Sequence, residues 1–312
     1  MDNIDLVYLW VDGNDPQWQT KRNAFVKTAD GKTEETCKGR YADNDELKYS
    51  LRSAEKHIPW IRRIFIVTDS QTPGWLDVSN PKVKIIDHKD ILPQASLPCF
   101  NASVIEYFLY KIPDLAEQFL YANDDMFFNA DLQPDFFYAK DGFPVVRLKK
   151  YPFDNLIYHI RHLIGKKPGY YRTAIYEAAL LVKNIFRKYY SGAPHHNVDA
   201  YKKSDYKKAI EDVFKAQVEI SFSNHTRTKG ELQRSAILYY VLAIGHGHLK
   251  HVNNRESLRI PAQVDDFMKK LLSRKPKLFC LNDSQRVSDE DRKRIKPFLE
   301  ELFPEKSTFE KL

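Results

Sequence analysis

The strongest constraint in this 312-residue sequence is the stretch 118 to 128, Gln-Phe-Leu-Tyr-Ala-Asn-Asp-Asp-Met-Phe-Phe. The apolar run Phe119 to Ala122 meets Asn123, Asp124 and Asp125, and a second apolar run, Met126 to Phe128, follows at once. A short apolar run bounded by polar residues predicts a strand buried on both faces. Its end delivers two adjacent carboxylates to the rim of a sheet, and in open α/β sheets ligands bind at the carboxyl ends of the strands. Aspartates also form plain turns. The neighbouring residues must decide between a turn and a site for a hard cation, which takes one or two carboxylates plus substrate phosphates.

Those neighbours repeat the pattern. Ile4 to Val11 predicts a first strand, broken by Asp12-Gly13-Asn14-Asp15-Pro16, where small residues let backbone N–H groups approach phosphate. Ile64 to Asp69 and Val83 to Asp87 predict further strands, each ending in Asp. Leu47, Leu51, Ala54 and Ile58 share one helical face, and Pro59 ends that helix. Asp43 and Glu46 have capping-box spacing, while the same helix start gathers Arg40, Asp43, Asn44 and Arg52 for a polar site. Asn101 or Ser103 caps a helix from about Val104 to Tyr110. The order strand, helix, strand, strand, helix, strand predicts an α/β sheet with parallel elements. Beyond residue 150 the spacing predicts helices near 170–190, 204–217, 230–245, 261–272 and 288–302. The chain divides on this reading into an α/β core over 1–146, a basic helical segment over 147–260 and a segment over 261–312 that returns to the core.

Charge narrows the partners. The net charge is +7, and residues 147 to 190 hold ten Lys or Arg against Asp154 and Glu177. That field suits nucleotides, anionic glycans or an anionic lipid surface; no nucleic-acid motif accompanies it, so no nucleic acid is expected. No apolar run approaches the roughly 20 residues that span a bilayer, and the first residues lack the pattern of a signal peptide. Cys37, Cys99 and Cys280 are scattered without metal-ligand spacing, which fits a reduced, cytoplasmic protein. His195, His196 and His225, with Arg227, offer acid–base groups and a phosphate clamp, or else are inert loop residues. His246, His248 and His251 read as structural.

Four blocks together resemble the Stealth proteins, which include bacterial capsular and exopolysaccharide hexose-1-phosphate transferases and the lysosomal-enzyme N-acetylglucosamine-1-phosphotransferase. They are Ile4 to Gly13; Asp43 to Ser53 with Ile66 to Asp69, Leu97 to Asn101 and Asn123 to Asp125; the His195/His196 loop through Arg227 to Gln233; and Cys280 to Asp283 with Phe303-Pro304 and Phe309-Glu310. The resemblance implies a nucleotide-sugar-binding core similar to glycosyltransferases of the A type, completed by a largely helical C-terminal half. It implies transfer of a sugar 1-phosphate from a nucleotide-sugar donor to a glycan or lipid-linked glycan hydroxyl, with Mg²⁺ or Mn²⁺ on Asp124, Asp125 and Asp283. Asp43, His196 and Arg227 match catalytic positions, with His195 an alternative, because the proline usual after the family's histidine is missing and Pro194 precedes the pair. Trp10, Val11, Gly13, Asn14, Asn44, Arg52, Asn101, Asn123 and Gln233 are the expected substrate contacts. Peripheral contact with the inner membrane face is a further expectation. An ordinary metal-dependent glycosyltransferase and a non-catalytic glycan-binding protein are the rival readings.

Overall fold

A computed structural model describes residues 3–25, 38–151, 154–165 and 169–311; Cys37, Lys166 and Lys167 lie outside them. In chain order the strands are β1 (Ile4–Leu9), β2 (Ile64–Thr68), β3 (Val83–Asp87), β4 (Gln118–Asn123), β5 (Met126–Phe128), β6 (Val145–Lys149), β7 (Ala193–Pro194), β8 (Asp199–Lys202), β9 (His248–His251), β10 (Ser257–Pro261) and β11 (Leu278–Asn282). The main sheet runs β3-β2-β1-β4-β8. Its first four strands are parallel and β8 is antiparallel to β4. The fold is therefore α/β, as the strand and helix order predicts. Parallel strands covered on both faces must be apolar throughout, and β4 obeys: Phe119, Leu120, Tyr121 and Ala122 are fully buried. Each large side chain among them contributes about 1.5–3 kcal/mol by leaving water.

The chain leaves β4 through Asp124 and Asp125 and enters a second sheet, ordered β10-β11-β5. Strand β11 pairs antiparallel with β5, and Leu281 N–H donates to the Asp125 carbonyl at 2.9 Å. The sequence echo between Asn123-Asp124 and Asn282-Asp283 thus has a geometric cause: both pairs end strands at one place. The helix Glu46–His57 fixes that place. Its Ser50 hydroxyl contacts Tyr8 Oη at 2.8 Å and donates to the Met126 carbonyl at 2.5 Å, while Ser53 Oγ accepts from Phe128 N–H at 3.1 Å. Two buried hydroxyls so tie β1 and β5 to one helix on either side of the aspartate turn.

Helices occupy the C-terminal half at Tyr170–Phe186, Lys203–Lys208, Ser235–Ala243, Phe267–Arg274, Asp289–Lys293 and Ile295–Leu302. This half also supplies strands absent from the sequence reading. Strand β8 joins the main sheet, and β7 and β9 flank β6 in a third sheet. The 147–260 segment is consequently not helical throughout.

Arg52 is expected at the substrate and is instead a clamp on the C-terminus. Its Nε and Nη2 donate to the two Glu310 carboxylate oxygens at 2.7 and 2.9 Å, and Nη1 donates to the Phe303 carbonyl at 2.6 Å. Both side chains are nearly fully buried, at 4% and 3% exposure. Burial alone would raise the Glu310 pKa, but the Arg52 hydrogen bonds and charge outweigh it and hold the carboxyl at about 2. Breaking such a pair from one side costs about 3 kcal/mol or more, so Glu310→Gln is expected to lower the thermal midpoint measurably. A carboxyl depressed below its unfolded pKa of about 4.3 stabilises fully above that pH and loses its contribution as pH falls toward the folded value. The acid-unfolding curve of Glu310→Gln should therefore converge on the parent's between about pH 4 and 2. An unchanged midpoint at pH 7 would refute the clamp.

Candidate functional site

The carboxyl ends of β1, β2 and β4 open into a cavity of about 170 Å³, closed from the far side by the end of β11. It brings together Trp10, Val11, Asn123, Asp124, Asp125, His196, Arg227 and Asp283, which come from five separate parts of the chain. Arg40, Tyr41, Glu46, His88 and Trp18 line it as well.

Its floor is acidic. Asp124 is pushed well above the usual carboxylate range, first by burial and then by the charges of Asp125, Glu46 and Asp43. Burial raises Asp125 to about 6, Asp43 to about 6 and Glu46 to about 8. Buried like charges are costly, so this arrangement stands only where a cation or protons compensate. Asp125 Oδ1 is buried without a hydrogen-bond partner among the described residues, while Oδ2 accepts from Cys280 Sγ at 3.3 Å. An orphaned carboxylate oxygen beside a second carboxylate fits a hard cation that completes its shell with phosphate and water. Among the described residues there is no set of three His, Cys, Asp or Glu side chains forming a closed cage. Asp283, the third carboxylate expected to hold a metal, is less available for one, because Arg292 binds both its oxygens at 2.7 and 3.0 Å.

Around Asp43 the capping-box expectation fails. The helix starts at Glu46 behind Asp45, which sits in the left-handed region at φ 66° and makes no side-chain cap. Asp43 Oδ1 instead accepts from Asp45 N–H at 2.9 Å, and the Glu46 carboxylate takes the Asn44 backbone and side-chain N–H groups at 2.6 and 2.7 Å. Asp43, Asn44 and Asn14 face an adjoining concavity with Asp12 and Lys296. Asn14 Nδ2 donates to the Asp43 carbonyl at 3.2 Å, which joins the two loops. Gly13 N–H donates to the Tyr41 carbonyl at 2.9 Å, and a Cβ at Gly13 would lie 2.0 Å from that oxygen. Only glycine permits this approach, so Gly13 shapes the loop and does not itself line the cavity.

The paired histidines diverge. His195 is buried, with Nε2 at 3.1 Å from the Val198 carbonyl and 3.3 Å from Asp199 Oδ1. His196 is half-buried, holds φ 54° and lines the acidic cavity, its ring edge-on to Tyr171 at 5.6 Å. Burial, then the charges of Arg259, Arg234 and Arg40, lowers the His196 pKa to about 3, so the ring is neutral. Arg227 lines the same cavity and has no ion-pair partner among the described residues.

Two further expected contacts lie outside the cavity lining. Asn101 is fully buried; its Oδ1 caps the helix Ala102–Tyr107 through Ser103 N–H, and its Nδ2 donates to Glu231 at 2.8 Å. Gln233 donates to Ser103 Oγ at 3.3 Å. Both hold the loop that carries Arg227 against the core, and neither is placed as a substrate contact. His246 and His248 pair with Asp205 and Asp141, each at 2.8 Å. Glu46 joins the site carboxylates although its spacing assigns it to a cap, and Arg259 arrives on β10 with no local signal in the sequence.

Models of three family regions match the chain: Stealth protein CR1, conserved region 1, over residues 2–28; CR2, conserved region 2, over 40–146; and CR4, conserved region 4, over 269–312. Among curated proteins, capsular polysaccharide phosphotransferase fcs1 of Haemophilus influenzae is 33% identical over 90% of this chain and 78% of its own length. Capsular polysaccharide phosphotransferase SacB of Neisseria meningitidis serogroup A is 30% identical over 99% of this chain and 57% of its own length. Capsular polysaccharide phosphotransferase cps1A of Actinobacillus pleuropneumoniae is 46% identical over 45% of this chain, a match that spans only 39% of that relative's length. Among solved structures, galactosyltransferase LgtC in complex with donor and acceptor sugar analogs aligns over 97% of this chain and 96% of its own at 13% identity, with a TM-score of 0.45.

Proposed function

Because the chain belongs to the Stealth family, we propose that it transfers a sugar 1-phosphate, such as N-acetylhexosamine 1-phosphate, from a nucleotide-sugar donor to a glycan hydroxyl in capsular or exopolysaccharide synthesis. The observation that carries this reading is the convergence of Asp124, Asp125, His196 and Arg227 on one cavity. In the reaction the acceptor oxygen forms a bond to the phosphorus that bears the sugar. The bond from that phosphorus to the nucleoside monophosphate breaks, its electrons leave with the monophosphate, and the acceptor proton passes to a base. Asp124 and Asp125 would hold Mg²⁺ or Mn²⁺, which would neutralise the diphosphate and its leaving phosphate. Arg227 clamps phosphate. His196 accepts the proton; the anionic donor offsets the arginine field that keeps the free ring a poor base. Asp43 adds to the charge that makes the site bind cations, and Trp10 and Asn123 border the donor.

No helix among the described residues is long and apolar enough to cross a membrane. The helix Asp154–Leu163 does expose Leu156, Ile160 and Leu163 beside the basic surface, which supports peripheral contact with an anionic inner-membrane face during extension of a lipid-linked glycan.

The test is the nucleotide released from a panel of nucleotide sugars with Mg²⁺ or Mn²⁺ and a glycan acceptor. Nucleoside monophosphate, with acceptor mass rising by a sugar phosphate, is the expected product. Nucleoside diphosphate would make this an ordinary glycosyltransferase and overturn the reading.

A further inference from the structure

His196 lines two cavities, the acidic one and a larger one of about 410 Å³. The larger cavity is built by the helices Asp154–Leu163 and Tyr170–Phe186 together with β7 and β10, and His195 shares its wall. Its chemistry is opposite to that of the first. Lys149, Arg161, Arg172 and Arg259 line it, and no carboxylate does among the described residues. Nor does a carboxylate pair with any of the four among the described residues; Arg172 lies over the Tyr151 ring at 5.3 Å. Burial and the Arg259 charge hold the Lys149 pKa below its ordinary value, a cost that an arriving anion would offset. Much of the remaining wall is aromatic: Tyr158 stacks on Tyr176 at 3.6 Å between ring centroids, and Tyr151, Tyr171 and Tyr189 line it too, beside aliphatic Ile157, Ile175 and Pro194. Tyrosine presents an apolar face to a ring and a hydroxyl to its polar edge. Guanidinium groups match the geometry of a phosphate. The volume lies within the range of about 300–1,000 Å³ found for ligand sites.

We propose that this second cavity is the acceptor subsite and that it selects an acceptor already carrying a phosphodiester, so that each product is the preferred next acceptor. The inference rests on the phosphotransfer reading for the word acceptor, and on the cavity alone for the selection of a phosphodiester glycan. A neutral glycan would use the tyrosines and leave four cations uncompensated. A phosphodiester-linked glycan uses both. His196, in the shared wall, stands where an acceptor hydroxyl would meet the donor phosphate.

Binding can be measured without turnover. A synthetic trimer of N-acetylglucosamine units joined by phosphodiesters, and a neutral glycosidic trimer of the same sugar, are titrated calorimetrically into the full chain. The phosphodiester probe is expected to bind at least about tenfold more tightly, with a preference that falls as salt rises. Arg172→Ala and Arg161→Ala, both at exposed positions, should each remove most of that preference with no change in thermal midpoint. In turnover they should raise the acceptor KM and leave kcat in place, which a structural lesion would not do. Equal affinity for the two probes, or undiminished preference in both variants, would overturn the subsite. Release of nucleoside diphosphate with phosphodiester selectivity intact would sink only the phosphotransfer reading. Release of monophosphate with no selectivity would sink only the subsite.

Discussion

Asp124→Asn is expected to abolish turnover, by about 10³-fold or more, and to leave a protein that is folded and more stable than the parent. The carboxyl is buried at the end of β4, and burial together with Asp125, Glu46 and Asp43 raises its pKa well above the ordinary value. A group whose folded pKa lies above its unfolded one is destabilising wherever it must ionise, so replacing it by a neutral amide of the same shape relieves repulsion at neutral pH. Sites that concentrate like charge in this way trade stability for function. Two measurements separate the roles. In the parent, Mn²⁺ should raise the thermal midpoint by relieving the acidic floor, and Asp124→Asn should start higher and respond less. Near-normal kcat in the variant would remove Asp124 from the site, and a lowered midpoint would make it a structural residue.

The main sheet was readable because each strand carries its own signature. Ile64 to Thr68 and Phe119 to Ala122 are apolar runs that end in polar residues, and burial on both faces demands that composition wherever the strand sits. The aspartate turn was readable for the same reason. Features set by distant partners were not. Asp43 and Glu46 have the spacing of a capping box, yet the left-handed Asp45 shifts the helix start and turns both carboxylates to other donors. Arg52 reads as a site cation until Glu310, 258 residues away, is seen to bind it. Strand β7 has two residues, too few for any periodicity, and it is the strand that leads into the histidine pair. Arg259 and Tyr171 reach His196 only because β10 and the helix Tyr170–Phe186 pack around the same loop.

The neighbouring histidines are placed differently by that packing, and alanine at each should give opposite signatures. His196→Ala is expected to lower kcat by about 10²–10⁴-fold, the usual loss for a proton-transfer group, with little change in thermal midpoint because the ring is half-buried. His195→Ala removes a ring that is 1% exposed and leaves Asp199 with one donor fewer, held by Arg234 at 2.6 Å. The gap and the lost hydrogen bond should cost about 2–3 kcal/mol of stability, read as a fall in thermal midpoint, while kcat at low temperature drops far less than in His196→Ala. The pH profile adds an independent readout. With its pKa held to about 3 in the free protein, His196 is already unprotonated across neutral pH. Its protonation should therefore give kcat/KM no acidic limb near pH 6–7, where an ordinary histidine of pKa about 6.5 would place one. A large loss of kcat in His195→Ala at unchanged stability, with His196→Ala active, would exchange the two roles. Mild and equal losses in both would take the histidine pair out of the chemistry and leave Arg227 and the aspartates as its remaining side chains.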